Sequence, residues 1–201
     1  MNALDSLISS LRTLPGVGKR AAQKMALQLL LERDDGLRAL QRALAQADAD
    51  IVTCSQCHNL DASDPCALCS DHRRNDDVIC VVPHVSDVWA LERIDLFKGR
   101  YHILGGLLSA MSNIGPDDLK IESLKARVTN HPSLKEVIFA LPANVEGAST
   151  THHLIDVLSP LLCAHNDVKF TKLAHGMPMG GHLEAMDDGT LSMALSGRGV
   201  V

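Results

Sequence analysis

CSQCHNLDASDPCALC, residues 54–69, decides the fold of the middle of this chain, because it holds four of the six cysteines as two Cys-x-x-Cys pairs. Cys54 and Cys57 form the first pair, and Cys66 and Cys69 form the second. A two-residue gap folds the chain back so that both thiolates of a pair can reach one ion, and four thiolates make the closed tetrahedral site of a structural zinc. The segment therefore predicts one structural zinc per chain, with these four cysteines as its ligands.

Residues near the four cysteines bear on the nature of the site. A single pair would leave a redox site or a chance grouping of buried cysteines open, but two pairs this close favour a metal. His58 is an alternative ligand, although four thiols leave it no vacancy. We expect Arg73 and Arg74 to moderate the negative charge of the site, and zinc removal to loosen or unfold the middle of the chain. Cys80 and Cys163 are predicted to be packed apolar residues.

Upstream of the cysteines, LRTLPGVGKRAA, residues 11–22, lies between two stretches with apolar residues at helical spacing. Residues 4–31 are therefore predicted to form two helices joined by a turn. The glycines allow a sharp turn and leave backbone N–H groups accessible at the start of the second helix, which suits a phosphate. No acidic residue occurs from Thr13 to Leu31, so the hairpin carries a local positive patch. Sequence-independent binding of single- and double-stranded DNA is predicted for Arg12, Gly16, Gly18, Lys19, Arg20 and Lys24.

The centre of this hairpin, Leu14-Pro15-Gly16-Val17-Gly18, resembles the helix-hairpin-helix motif. In that motif a hydrophobic residue and a turn former precede Gly-hydrophobic-Gly and a basic helix. The alternatives are an ordinary helix pair with a glycine-rich turn and a helix–helix dimerisation element. Dimerisation is compatible with DNA binding.

Downstream of the cysteines, short apolar runs alternate with helical stretches, which is typical of an α/β domain. Val78–Val82 and residues 136–141 are predicted to be buried strands of a parallel sheet, with further strands at 101–104 and 168–174. Helices are predicted at residues 35–49, 86–97, 117–128 and 150–163. The predicted fold class is α/β, with a helical hairpin region (1–52), a four-cysteine zinc finger (53–75), an α/β domain (76–175) and a C-terminal oligomerisation segment (176–201).

Composition limits the function classes. A chain of 201 residues suggests one or two small domains. A net charge of −5 argues against a uniformly basic protein, and an aromatic content of 2% argues against base stacking as the main binding mode. No apolar run approaches the ~18 residues of a membrane span, and the N-terminus has no secretion-signal pattern. We therefore expect a cytoplasmic protein without membrane contact.

The order of hairpin, zinc knuckles and α/β unit resembles the RecR family over essentially the whole chain. Blocks similar to that family's recurrent sequences occur at Val78–Val82 and at residues 101–109, 145–147 and 173–176. The resemblance implies that the α/β unit is a Toprim domain, a fold that topoisomerases and primases use for magnesium-dependent phosphoryl chemistry.

The Toprim resemblance also indicates that catalysis is absent. It places Pro83 where the fold has a catalytic glutamate, and Pro142 and Asn144 where it has two aspartates, leaving Glu146 as the one carboxylate of the set. One carboxylate is a poor magnesium site, so the chain is expected not to be an enzyme. The alternative is a magnesium-dependent Toprim nuclease or primase that uses the following three carboxylates: Glu92, Asp87 and Glu146.

A group of late histidines suggests a second metal site, although surface or loop positions explain it better. The group consists of His152, His153, His165, His175 and His182.

Similarity to RecR implies a recombination mediator in DNA repair. That family forms a ring-like homo-oligomer, here a dimer or tetramer, and works with RecO and in some settings RecF to load RecA at single-stranded gaps. The resemblance assigns Arg20 and Lys24 to the DNA-facing positions and Glu146 to a partner contact. A further alternative is a zinc-stabilised protein scaffold that does not bind DNA.

Overall fold

A computed structural model describes residues 2–162, 168–174 and 176–197. The chain divides into two compact units, Met1–Ile51 and Val52–Val201. Cys163, His165 and His175 lie outside the described residues. No helix in the described part of the chain is both long and apolar enough to cross a membrane.

The first unit is helical. Helix α1 (Ala3–Leu11) begins with a capping box, in which the Asn2 side chain accepts a hydrogen bond from the Asp5 amide at 2.8 Å. It packs against α2 (Lys19–Leu31). Ala22 and Ala26, which lie one turn apart on α2, are fully buried. The predicted helical hairpin is therefore confirmed.

The third helix differs from its prediction. A π-helical turn, Arg33–Leu37, precedes α3 (Arg38–Asp50). Gly36 approaches α2 closely, because a Cβ atom there would lie 3.6 Å from the Leu29 Cα. Apolar spacing alone does not distinguish such a turn from a regular helix start.

The second unit begins with the zinc-finger segment. Strands β1 (Val52–Thr53) and β2 (Leu60–Asp61) pair antiparallel, and the four-residue helix α4 (Ala67–Ser70) follows. The sequence did not predict these three elements, because they are too short to show a hydrophobic period.

The rest of the unit contains an all-parallel sheet of four strands, as predicted. Its strand order is β4-β3-β5-β6. The strands are β3 (Val78–Val82), β4 (Arg100–Ile103), β5 (Glu136–Phe139) and β6 (Lys169–Lys172). The helices between them are α5 (Val85–Arg93), α6 (Ile121–Thr129) and α7 (Val145–Leu162).

Both faces of the sheet are covered. Ile79 and Val81 of β3 belong to one apolar cluster together with residues of α6 and α7, whereas Cys80 and Val82 belong to a second cluster with α5. Alternate side chains of a strand point to opposite faces. The continuous apolar run of β3 is thereby explained by burial on both sides.

Several predicted boundaries were wrong. Helix α7 begins at Val145 rather than at residue 150, because Asn144 caps its first turn. Helix α5 ends at Arg93 rather than at residue 97, and Asp95 follows with a left-handed φ of 51°. The C-terminal region contains a 3-10 turn (Leu183–Ala185) and a helix, α8 (Asp188–Ser196).

Candidate zinc centre and nucleic-acid interface

Two tight turns bring the four cysteines together. In the first turn, the His58 amide donates to the Cys54 carbonyl at 3.0 Å, and His58 has a left-handed φ of 64°. In the second turn, Cys66 directly precedes α4, and the Cys69 amide donates to the Cys66 carbonyl at 3.0 Å. Asp64 joins the two turns, since its carboxylate accepts bonds from the Ser55 amide and hydroxyl, both at 2.8 Å. These bonds lower the pKa of Asp64.

The sulfur geometry fits zinc. All four Sγ atoms lie within 4.8 Å of one another, and those of Cys57 and Cys66 are 3.5 Å apart. A tetrahedron with Zn–S bonds of about 2.3 Å has sulfurs about 3.8 Å apart. Hydrogen bonding from the Cys57 thiol lowers the pKa of Cys69 to about 6, and Arg127 acts in the same direction. Four cysteines close the coordination shell, so the zinc is structural, one per chain.

The arginines around the cluster are not the ones that the sequence suggested. Arg73 pairs with Asp71, and Arg74 donates to the Gly99 carbonyl at 3.2 Å and pairs with Glu92. Neither arginine has a bond to the finger's cysteines among the described residues, so their moderating role stays a prediction.

Arg100 and Arg127 hold the finger instead. Arg100 Nη1 donates to the carbonyls of Leu68 and Cys69 at 2.8 and 2.9 Å. Arg127 Nη1 donates to the carbonyl of Tyr101 at 2.5 Å and to that of Gln56 at 3.4 Å. Neither arginine is identifiable from the sequence, because they lie 31 to 71 residues from their acceptors in the finger along the chain.

His58 is not placed as a ligand. Its Nε2 lies 2.7 Å from the Ser123 hydroxyl on α6, and its ring packs edge-on against His102 at a centroid distance of 5.3 Å. Next to it, the Ile103 amide donates to the Cys57 carbonyl at 2.9 Å. The finger therefore covers the outer edge of strand β4.

The buried His102 permits a pH prediction. Its Nε2 lies 2.9 Å from the Lys120 carbonyl, so the ring is the Nε2–H tautomer, and burial lowers its pKa to about 3. Because the folded pKa is below the ordinary value, this histidine stabilises the fold above about pH 6.5 and opposes it increasingly as the pH falls. We expect its ring NMR signals to stay constant from roughly pH 8 to pH 5, where an ordinary histidine titrates. A transition near the ordinary value would contradict this.

Cys80 and the described histidines of the late group lie where the sequence predicts them. Cys80 is 2% exposed, and burial raises the pKa of its thiol to about 12, which confirms it as a packed apolar residue. His152 and His182 are exposed, and His153 is half-buried. Within residues 2–162, 168–174 and 176–197, the four cysteines are the one group of three or more His, Cys, Asp or Glu side chains able to hold an ion together.

The hairpin of the first unit presents its predicted DNA-binding residues to solvent. Gly16 has a left-handed φ of 78°, and the Val17 amide closes the turn on the Leu14 carbonyl at 3.1 Å. Gly18 is the N-cap of α2 and supplies no side-chain cap, so the first-turn N–H groups lack a capping side chain. All six predicted residues are exposed, and the four cations among them have no ion-pair partner in the described part of the chain: Arg12, Lys19, Arg20 and Lys24.

The two hairpin glycines should respond differently to the same substitution. A Cβ at either position would meet nothing within 4 Å, so backbone conformation decides the outcome. Gly16→Ser should lower the free energy of unfolding by about 1–2 kcal/mol, because a side chain is strained in the left-handed region. Gly18→Ser should be neutral or slightly stabilising, because serine is a good N-cap. Chemical denaturation measures both variants, and equal losses would contradict the assignment.

The positions at which the Toprim resemblance leads us to expect carboxylates have structural roles here. Pro83 follows β3 and is buried, and its carbonyl accepts from the Gly105 amide at 3.0 Å. Asn144 Oδ1 accepts from the Gly147 amide at 2.8 Å and caps α7. Gly147 is required there, because a Cβ would lie 2.0 Å from the Pro142 carbonyl oxygen.

Two of the three alternative carboxylate ligands also have hydrogen-bond partners. Glu92 accepts from the Tyr101 hydroxyl at 2.7 Å and pairs with Arg74, and Asp87 accepts from the His84 amide at 2.9 Å. Glu146 is half-buried in the first turn of α7. It lines an open cleft of about 740 Å³ whose other walls are largely apolar and include Met111.

Comparisons with known proteins agree along the whole chain. Four family descriptions match in succession: the RecR helix-hairpin-helix at residues 4–48, the RecR four-cysteine zinc finger domain at 51–71, the Toprim domain at 77–174 and the RecR C-terminal region at 176–198. The chain is 48% identical over 197 residues to the recombination protein RecR of Paramagnetospirillum magneticum, covering 98% of this chain and 97% of that protein. It is 50% identical over 192 residues to the RecR of Hyphomonas neptunium, covering 96% and 92%. With this identity over nearly the full length, a hairpin of the matching kind and a four-cysteine finger, the chain belongs to the RecR family.

Proposed function

We propose that this protein is a DNA-binding recombination mediator in DNA repair, and that it acts by assembly rather than by catalysis. The observation that carries the proposal is a cluster of four cations around the start of α2, which has no side-chain cap, on a chain whose net charge is −5. Within the described residues none of the four forms an ion pair. Free backbone N–H groups and cations at a helix N-terminus bind phosphate without selecting a base sequence.

The test is equilibrium binding of labelled DNA over a series of salt concentrations. Phosphate contacts release counterions, so the affinity should fall steeply as salt rises. Absent or salt-independent binding would contradict the proposal and favour a zinc-stabilised protein scaffold.

The partners proposed for this chain are RecO, in some settings RecF, and further copies of the chain itself in a dimeric or tetrameric ring. Together they would load RecA at single-stranded gaps, in the cytoplasm at the nucleoid. Family membership supports this role. The apolar cleft beside Glu146 supports that residue as the partner contact, because one charged group within an apolar surface gives both affinity and orientation. A ring around DNA would also retain weak phosphate contacts through multivalency.

We further propose that the protein is not a nuclease or a primase. Two of the three carboxylates available to such an enzyme are engaged elsewhere, Glu92 by Arg74 and Tyr101, and Asp87 by the backbone of His84. Magnesium needs several free carboxylate oxygens. We expect no strand cleavage and no primer synthesis when magnesium or manganese is added to the zinc-loaded protein with single- or double-stranded DNA. Metal-dependent product that disappears in Glu146→Gln would support the enzyme instead.

A further inference from the structure

Trp89 is the one tryptophan of the sequence, and it lies on α5 with 68% of its surface exposed. Single exposed apolar side chains are common on protein surfaces. The neighbours on the same helix face therefore decide whether this indole is part of a binding site.

The exposed face of α5 is polar and cationic around this indole. Ser86, Trp89, Ala90 and Arg93 are all exposed, and their spacing of three, four and seven residues places them along one side of the helix. Arg93 makes no ion pair among the described residues. An aromatic ring and an available guanidinium thus lie one turn apart.

The acidic groups of α5 are held away from this face. Asp87 accepts from the His84 amide at 2.9 Å, at the start of the helix. Glu92 accepts from the Tyr101 hydroxyl at 2.7 Å and pairs with Arg74, which is 9% exposed. No carboxylate of α5 opposes the approach of an anion along the exposed stripe.

We propose that this stripe is a second DNA contact that binds single strands: an unpaired base stacks on Trp89 and an adjacent phosphate pairs with Arg93. The inference rests on the proposed DNA-binding function and specifies a strand preference for it. Stacking on aromatic side chains and pairing of phosphates with cations are the two components of single-strand binding. A duplex keeps its base faces within its own stack, so it cannot use the indole in this way.

A protein partner fits the stripe less well. A helix that docks in a groove presents several apolar anchors at this spacing, whereas the stripe has one large apolar side chain. The exposed Ile94 and Leu96 lie beyond the end of α5. Substitution of Leu96 therefore serves as the control for DNA affinity that comes from any exposed apolar side chain.

Trp89 itself reports on the site, because it is the one tryptophan of the sequence and all tryptophan fluorescence comes from it. We expect single-stranded oligo-dT to quench the emission of the zinc-loaded, full-length protein saturably, and duplex DNA of the same length to bind without quenching. In anisotropy titrations of labelled oligo-dT, Trp89→Ala should weaken binding by about 5- to 100-fold, and Trp89→Phe should recover part of the loss. Arg93→Gln should reduce the slope of log affinity against log salt by about 0.7. Leu96→Ala, which removes another exposed apolar side chain, should leave the affinity unchanged.

The outcomes separate this proposal from the general function. If wild-type protein binds oligo-dT without a change in Trp89 emission, and Trp89→Ala binds it with unchanged affinity, the stripe is not a DNA contact, while the hairpin function stands. If no DNA binding occurs in any variant, the proposed function itself fails. A change in emission that follows protein concentration without DNA would assign Trp89 to contact with a second copy and would overturn the proposal.

Discussion

Replacement of the zinc ligand Cys57 by serine is expected to abolish zinc retention and unfold the finger. Zinc-finger peptides gain about 10–16 kcal/mol of apparent folding free energy from their metal, a quantity as large as the whole stability of a typical domain. The variant should contain far less than one zinc per chain by elemental analysis. Amide hydrogen exchange over residues 52–71 should become fast.

The physical reason is that the finger has almost no core apart from its metal ligands. Its apolar cluster consists of the buried cysteines with Leu68 and Cys69 packed against them. Without the ion, these thiols lose their shared partner, and two-residue strands cannot hold the turns by themselves.

The loss should extend into the sheet. The Ile103 amide at the edge of β4 donates to the Cys57 carbonyl at 2.9 Å, and Arg100 donates to the Cys69 carbonyl at 2.9 Å. Unfolding of the finger removes these two acceptors, leaves Arg100 with Asp76 as its ion-pair partner, and exposes a strand edge, which promotes aggregation. Faster exchange of the Ile103 amide, together with a concentration-dependent rise in light scattering, is the expected signature.

Cys80→Ala is the matched control. Cys80 is buried in β3 and belongs to a cluster separate from the finger cysteines. Its loss should lower stability modestly and leave zinc at one per chain. Full zinc retention in Cys57→Ser, or equal zinc loss in the control, would contradict the assignment of the ligands.

Charge reversal in the hairpin, Arg20→Glu with Lys24→Glu, is expected to weaken DNA binding on the order of 50-fold near 0.1 M salt. The estimate follows from two phosphate contacts, each of which contributes about 0.9 to the slope of log affinity against log salt on duplex DNA. The slope itself should fall by about 1.8. Fluorescence anisotropy with labelled duplex DNA at several salt concentrations measures both quantities.

A second double variant separates local contacts from net charge. Lys169→Glu with Lys172→Glu makes the same change in total charge on β6, where both lysines are exposed. It should retain most of the affinity. Equal losses in the two double variants would point to net charge alone, and an unchanged affinity in the hairpin variant would favour the protein scaffold. Sedimentation analysis of each sample shows whether assembly is intact.

Local features explain why much of the protein was predictable. The turn at Gly16 depends on a left-handed φ that glycine adopts freely, and the apolar positions of α1 and α2 repeat at helical spacing. Two Cys-x-x-Cys pairs bring four thiolates to one ion by chain geometry alone. The continuous apolar run of β3 predicts a strand that is buried on both faces.

The sequence by itself therefore determined the main elements, the zinc ligands and the chemistry of the hairpin, since each depends on residues near one another in the chain. Tertiary structure alone decided that Arg100 and Arg127 bond to backbone carbonyls of the finger, and that Arg74 pairs with Glu92. It also decided that Glu92 is engaged and Trp89 exposed on the same helix. These outcomes depend on which distant segments the sheet brings together, and hydrogen-bond partners separated by tens of residues leave no periodic pattern in a single sequence.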